Sequence, residues 1–200
     1  MREMEKIIKE RHSVRSYLDK EIEDSKVAEL NKIISDINKK EELNFQLILN
    51  DKEVFDKFVL HYGRLKNCNN YIALIGKKDS SLEEKVGYYG EQIVLKAQEL
   101  GLNTCWVAGT YKKSIVKAKI NDNEKLVCII AIGYGKTNGV VRKSKTIEEV
   151  TDSKDYPDWF KKGVEFALLA PTAINQQKFK FDYIDDNIVR SEERRVGERV

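Results

Sequence analysis

The chain has 200 residues, of which 41% are hydrophobic, and this size and composition suit one globular domain with a single core. Its 36 basic and 33 acidic residues nearly cancel, so the net charge of +3 creates no broad field of the kind that recruits nucleic acid. The longest strongly apolar stretch, residues 126–132, is far shorter than the roughly 20 residues of a membrane-spanning helix. We therefore expect a cytoplasmic protein that binds neither nucleic acid nor membrane.

Cysteine and histidine are too few and too scattered for a disulfide framework or a zinc site. The chain has three cysteines and two histidines, and it contains no Cys-x-x-Cys pair. Cys105 and Cys128 lie in apolar runs, which favours buried, reduced thiols over a redox role. The sequence thus predicts no metal ligands.

Apolar spacing predicts the elements of the N-terminal half. Helical spacing predicts one helix over residues 3–11 and a second that begins at residue 24 or 25 and continues to about residue 37. Short runs rich in branched and aromatic residues predict strands over residues 45–49 and 71–75.

The longest predicted helix covers residues 82–100 and ends before Gly101. Gly87 and Gly90 lie in its first half, where each costs up to about 1 kcal/mol relative to alanine. We expect a close approach to the helix backbone there, made either by a neighbouring helix or by a partner subunit.

The remaining elements complete an α+β layered domain. We predict strands over residues 104–108, 126–132 and 179–184, and an amphipathic helix over residues 155–170. Residues 190–200 contain four arginines and three glutamates with few apolar anchors. We therefore predict a single domain over residues 1–188, followed by a disordered or vector-derived tail over residues 189–200.

Two basic segments are candidate anion sites. Arg11-His12-Ser13-Val14-Arg15 gathers two guanidiniums, a hydroxyl and an imidazole just after a helix. Arg142-Lys143-Ser144-Lys145 follows the glycine-bearing end of a buried strand, a frequent position for ligands. The two segments together could clamp one phosphate, although a solvated charge run is the alternative for each.

A third segment, Pro171-Thr172-Ala173-Ile174-Asn175-Gln176-Gln177, combines small residues with amides where a helix stops. Small side chains let a flat ring lie near the backbone, and amides offer the donors and acceptors that suit the imide edge of a flavin. The alternative is a helix-to-strand turn whose amides satisfy their own backbone.

Together these segments resemble the nitroreductase family, and the likeness extends to about residue 184. The run Arg11-x-Ser13-x-Arg15 resembles the family's opening signature, residues 87–106 resemble its central helix and following strand, and residues 171–177 resemble its flavin segment. That last segment normally follows the arginine signature closely, whereas here it lies near the C-terminus, as in a smaller subgroup. The resemblance implies a layered α-β-α sandwich around a mixed, largely antiparallel sheet.

The resemblance also implies an FMN site. Arg11, Ser13 and Arg15, with His12 in the same segment, would hold the phosphate, ribityl chain and pyrimidine edge, helped at the phosphate by Arg142, Lys143 or Lys145. Pro171, Thr172, Ala173, Asn175 and Gln177 would border the ring, and backbone groups near Ala108, Gly109 and Thr110 would face the flavin N5. No side chain is assigned a catalytic role, because the flavin itself accepts the hydride.

The activity implied is that of a homodimeric FMN oxidoreductase, which passes electrons from NADH or NADPH to a small organic acceptor such as a nitroaromatic or a quinone. The alternative is a flavin-binding or flavin-storage protein with little turnover. A nucleic-acid-binding domain is disfavoured by the balanced charge and the lack of a recognition motif.

Overall fold

The computed structural model describes residues 2–56, 65–109, 111, 113–185 and 188–193. Its contacts divide the chain into a first unit, Met1–Val140, and a second unit, Val141–Val200. Across the ranges described, no helix combines the length and the apolar character needed to cross a bilayer. The single domain predicted over residues 1–188 stays a prediction.

Both units combine helices with strands. The helices are α1 (Arg2–Glu10), α2 (Asp24–Glu41), α3 (Glu53–Asp56), α4 (Leu82–Glu99) and α5 (Asp158–Ala167). The strands are β1 (Gln46–Ile48), β2 (Tyr71–Lys77), β3 (Asn103–Val107), β4 (Glu124–Gly133), β5 (Phe179–Asp185) and β6 (Ile188–Glu193). Every element predicted from the sequence is present with ends shifted by a few residues, and the predicted α+β class is confirmed.

The first unit is built on a four-stranded sheet in the order β1-β2-β4-β3, with every neighbouring pair antiparallel. The central strands β2 and β4 are almost continuously apolar because both of their faces are covered. Strand β3 lies at one edge of the sheet, and its Cys105 pairs with Ala131 of β4. This edge carries the candidate site.

Side chains that alternate along the strands divide the core of the first unit into two layers. Ile72 and Leu74 of β2 pack in one cluster with the apolar residues of α2 and α4. Tyr71, Ala73 and Ile75 of the same strand pack in the other cluster, with Val14, Tyr17, Val54, Cys68, Cys105 and Val107 among its members. The sheet is therefore sandwiched between helices on one side and a mixed layer of loops and α3 on the other.

The two glycines of α4 have different surroundings. A Cβ on Gly90 would lie 2.4 Å from Cη2 of Trp106, so the glycine makes room for an indole ring of β3. A Cβ on Gly87 would meet nothing within 4 Å. The predicted close approach is thus confirmed at Gly90, where a strand residue rather than a helix makes it, and nothing in the described chain accounts for Gly87.

The second unit has a small core of its own. Phe160 and Val164 of α5 pack with Ile147, Val150 and Leu168, beside aromatic residues of β5. Strands β5 and β6 form an antiparallel hairpin, and the amide of Phe181 donates to the carbonyl of Val150. The disorder predicted from residue 189 onwards is therefore wrong for residues 189–193, because they pair with β5; residues 194–200 lie outside the described residues.

Substituting alanine at the two glycines of α4 should have opposite effects on stability. Gly90→Ala forces the Trp106 indole to move and should lower the free energy of unfolding by about 1–3 kcal/mol. Gly87→Ala is the matched control on the same helix, and it should raise stability by up to about 1 kcal/mol through helix propensity. Urea unfolding measures both, and equal effects would contradict the packing described for Trp106.

Candidate functional site

The segment that carries the arginine signature lies along the open edge of the sheet. The amide of Val14 donates to the carbonyl of Thr104 at 2.9 Å, and Ser13 forms a parallel bridge with Thr104 of β3. Tyr17 is 1% exposed, and its hydroxyl donates to the carbonyl of Val14 at 2.8 Å. Buried Val14 and Tyr17 thus anchor the segment. They fix the backbone of the polar residues 11–13 and 15–16 on either side of Val14.

A glycine-bearing loop after β4 closes over this segment. The amide of Lys136 donates to the carbonyl of Ser16 at 2.8 Å. Gly139 has a φ of +82°, and a Cβ there would lie 2.7 Å from the Cβ of His12. Only glycine fits this conformation and this space easily. The glycines that follow the buried strand therefore serve to pack the loop against residues 12–14.

Arg11, at the start of the signature, is held in a largely buried ion pair. Its side chain is 8% exposed, and its Nε lies 3.4 Å from Oε1 of Glu91 on α4. The other carboxylate oxygen, Oε2, accepts a hydrogen bond from the indole N–H of Trp106 at 2.9 Å. Burial raises the pKa of Glu91, and the nearby charge of Arg11 and the Trp106 bond act in the opposite direction.

Arg11, Ser13 and Arg15 all act on the thiol of Cys105 in β3. Burial raises the pKa of Cys105, whereas the positive charges of Arg15 and Arg11 and a hydrogen bond with Ser13 lower it. Ser13 pairs with Thr104, the neighbour of Cys105, and the charges of Arg11 and Arg15 are near enough to act on the same thiol. Arg15 is exposed there, so this part of the sheet edge is electropositive and open to solvent.

The residues expected near the flavin N5 follow directly after β3. Ala108 and Gly109 are exposed in a bend, and a Cβ on Gly109 would meet nothing within 4 Å. Thr110 lies outside the described residues. The strand that bridges Ser13 thus leads straight into this open stretch of backbone.

The second unit joins its two predicted segments through Gln177, which is 4% exposed. Its Nε2 donates to the carbonyl of Lys143 at 2.9 Å, and its Oε1 accepts from the amide of Lys145 at 2.9 Å. The ammonium of Lys145 donates to the carbonyl of Gln177 at 2.7 Å, and Asn175 Nδ2 also donates to Lys143 O at 3.0 Å. These side-chain amides therefore bond the backbone of residues 143–145 and not the backbone of their own turn.

The segment from Pro171 to Gln177 is a strained turn. Ile174, Asn175 and Gln177 have φ values of 47°, 57° and 46°, in the left-handed region that a branched residue such as Ile174 rarely enters. The amide of Gln177 donates to the hydroxyl of Thr172 at 3.1 Å, which closes the turn. Pro171 and Thr172 are half-buried, whereas Ala173, Asn175 and the basic residues Arg142 and Lys143 are exposed.

The sequence did not reveal the part that Glu91 and Trp106 play beside Arg11. They lie on α4 and β3, 15 residues apart, and meet only because α4 packs on the sheet. The one available signal was Gly90, whose cost in a helix pointed to a close neighbour at this place.

Known proteins provide a family and several structures that are similar to this chain. A family model described as “Putative TM nitroreductase” matches residues 3–199. The fold is similar to a “putative nitroreductase” of Thermotoga maritima, with 24% identity, a TM-score of 0.63, and coverage of 90% of this chain and 71% of that chain. No curated protein gives a significant match.

Two further solved structures share the fold. A “putative nitroreductase in complex with FMN” from Exiguobacterium sibiricum has 16% identity and a TM-score of 0.57, with coverage of 76% of this chain and 97% of that chain. A “Putative NADH dehydrogenase/NAD(P)H nitroreductase” from Bacteroides thetaiotaomicron has 18% identity and a TM-score of 0.58, with coverage of 74% and 95%.

The Gln177 side chain should be needed to hold residues 143–145. Gln177→Ala removes the acceptor of the Lys145 amide and one of the two amide donors to the Lys143 carbonyl, and it should cost about 1 kcal/mol of unfolding free energy. Gln176→Ala is the matched control because Gln176 is exposed. Tryptic cleavage after Arg142 and Lys143 should accelerate in the first variant and not in the second. Indistinguishable stabilities and cleavage rates would contradict this role.

Proposed function

The chain belongs to the nitroreductase family described as “Putative TM nitroreductase”, and on that premise we propose an FMN-dependent oxidoreductase. It would take electrons from NADH or NADPH and pass them to a small organic acceptor such as a nitroaromatic compound or a quinone. The membership confirms the resemblance stated from the residues. The observation that carries the proposal is the convergence of Arg11, Ser13 and Arg15 at the edge of β3.

The donors at this edge fit the phosphate end of FMN. Two guanidiniums and a hydroxyl provide charge-assisted hydrogen bonds, which are the bonds that bind phosphate most strongly. Val14 and Tyr17 hold the segment in place before any ligand arrives, so little order has to be gained on binding. The FMN-bound structure from Exiguobacterium sibiricum shares this fold, which supports the choice of cofactor.

The remaining predicted residues would act on the ring. In the first unit, we assign the backbone of Ala108, Gly109 and Thr110 to the N5 side. In the second unit, the resemblance implies that Pro171, Thr172, Ala173 and Asn175 border a flavin ring and that Arg142 and Lys143 carry charge for a phosphate. Gln177 would act indirectly, since its amide holds the backbone of Lys143 and Lys145.

The chemistry of electron transfer would come from the bound flavin, which accepts a hydride and releases electrons without a protein nucleophile. What the chain has to provide is a fixed phosphate anchor, an open ring face and positive charge that stabilises the reduced anion. These needs match a site made of arginines, backbone groups and small residues.

The visible spectrum of the full chain tests this function directly. We expect a yellow protein with FMN absorbance that bleaches when NADH or NADPH is added without oxygen. Arg15→Ala should weaken FMN binding by about 10-fold or more through loss of a charge-assisted bond, whereas Lys32→Ala on the exposed face of α2 should leave it unchanged. A colourless protein that refuses added FMN would exclude the function. A yellow protein that both nicotinamides fail to bleach would favour flavin storage.

We also propose a homodimer that uses α4. Gly87 has an open surface, and the neighbouring Tyr88 is 65% exposed on the same helix. Gly87 has no side chain to keep a second helix away, and aromatic residues such as Tyr88 are enriched in protein interfaces.

Light scattering on the FMN-loaded chain should give twice the monomer mass. Tyr88→Glu should shift the mass towards the monomer, whereas Glu84→Ala, an exposed change on the same helix, should not. A monomeric mass for the unchanged chain would rule out this assembly.

A further inference from the structure

The Glu91 carboxylate bridges the Arg11 guanidinium and the Trp106 indole, and each of its oxygens has a different partner. Oε1 lies 3.4 Å from Arg11 Nε, and Oε2 accepts from Trp106 Nε1 at 2.9 Å. We propose that Glu91 is a positioning residue, which fixes the orientation of Arg11 so that the signature segment binds the phosphate of FMN. The inference rests on the proposed function for the identity of this anion.

Trp106 fixes the position of the carboxylate. The indole lies against the backbone of α4 where Gly90 lacks a side chain, and its strand is paired with β4 along five residues. An indole N–H can donate a hydrogen bond but cannot accept one. The bond therefore forms only when a carboxylate oxygen of Glu91 faces the indole nitrogen. Gly90, Trp106 and Glu91 thus form a chain of contacts that leads from the core to Arg11.

Arg11 needs such a partner because its side chain is mostly buried. A buried guanidinium without a counter-charge is strongly unfavourable, and the Glu91 side chain, itself 27% exposed, provides that charge. Contact at Nε restrains rotation of the planar guanidinium about its last bonds. The amide of Arg11 donates to the carbonyl of Ile7, so the backbone of the residue is fixed as well.

Electrostatics alone predicts the opposite role for Glu91. Its negative charge reduces the attraction of Arg11 for an anion, so a purely competing carboxylate would weaken FMN binding. The two roles differ in sign. Glu91→Gln removes the negative charge and leaves one acceptor oxygen for the two partners, Arg11 and Trp106. FMN binding should weaken if Glu91 positions Arg11, and it should strengthen if Glu91 competes with the phosphate.

Titration of FMN by fluorescence quenching on the full chain separates these roles. We expect Glu91→Gln to raise the FMN dissociation constant about 10-fold. Trp106→Phe, which loses the indole N–H together with the ring atoms that fill the space at Gly90, should act in the same direction. Glu83→Gln is the matched control, because Glu83 lies on the same helix and pairs only with Lys125 at 3.1 Å among the contacts described. Tighter binding by Glu91→Gln would overturn the proposal.

A double-mutant cycle excludes a general structural effect. In an Arg11→Ala background, Glu91→Gln should change the dissociation constant by less than about two-fold, because the group that it positions is gone. Additive losses would show that Glu91 acts on the fold instead of on Arg11.

A second readout needs no cofactor. The Arg11 Nε–H should exchange slowly with solvent in the NMR spectrum of the full chain and of Glu83→Gln, and rapidly in Glu91→Gln. If the full chain binds no FMN, the proposed function fails, while this exchange rate still decides whether Glu91 holds Arg11. Equal exchange in Glu91→Gln and the unchanged chain would overturn the inference.

Discussion

The candidate site depends on one short stretch of backbone pairing at the edge of the sheet. Val14 donates to Thr104 and Ser13 bridges it, so the segment extends the sheet by a few residues beyond β3. This pairing covers the open edge of the strand, which is otherwise a template for unwanted association. It also places the guanidinium and hydroxyl donors on rigid backbone. Edge protection and the proposed binding of FMN therefore depend on the same residues, and apolar burial of Val14 and Tyr17 supports both.

Much of the support for this edge comes from behind the sheet. The long helix α4 packs on one face and contributes Gly90 and Glu91, while the loop after β4 closes from the other end with Gly139 against His12. Neither glycine touches a ligand in the roles assigned above. Gly90 lets Trp106 pack on α4, and Gly139 lets the loop pack on His12. This close packing leaves Arg11 and Glu91 largely shielded from water. The energetic cost of burying a guanidinium is in this way met by contacts made within the fold.

The elements were readable from the sequence because apolar spacing is a local property. Periodicity located the helices and the buried strands, and the glycine in α4 correctly indicated a close neighbour. The Glu91–Arg11 contact was not readable, because it depends on α4 lying across β3.

Gln177 was ambiguous for a related reason: an amide suits a flavin edge and a backbone carbonyl equally well, and only the tertiary structure brings Lys143 within its reach. Residues 189–193 have a charged composition that is typical of disorder, yet pairing with β5 supplies the hydrogen bonds that order them.

The three cysteines are buried and free, and this burial makes them reporters of motion. Burial raises the pKa of Cys68 and of Cys128 to about 12, so both thiols stay protonated at neutral pH. A thiol-reactive dye can then modify them only when the surrounding structure opens. Cys105 lies on the edge strand beside the arginine signature, and Cys128 lies on the central strand. Labelling rates of the two thiols would therefore time the opening of the edge and of the middle of the sheet separately.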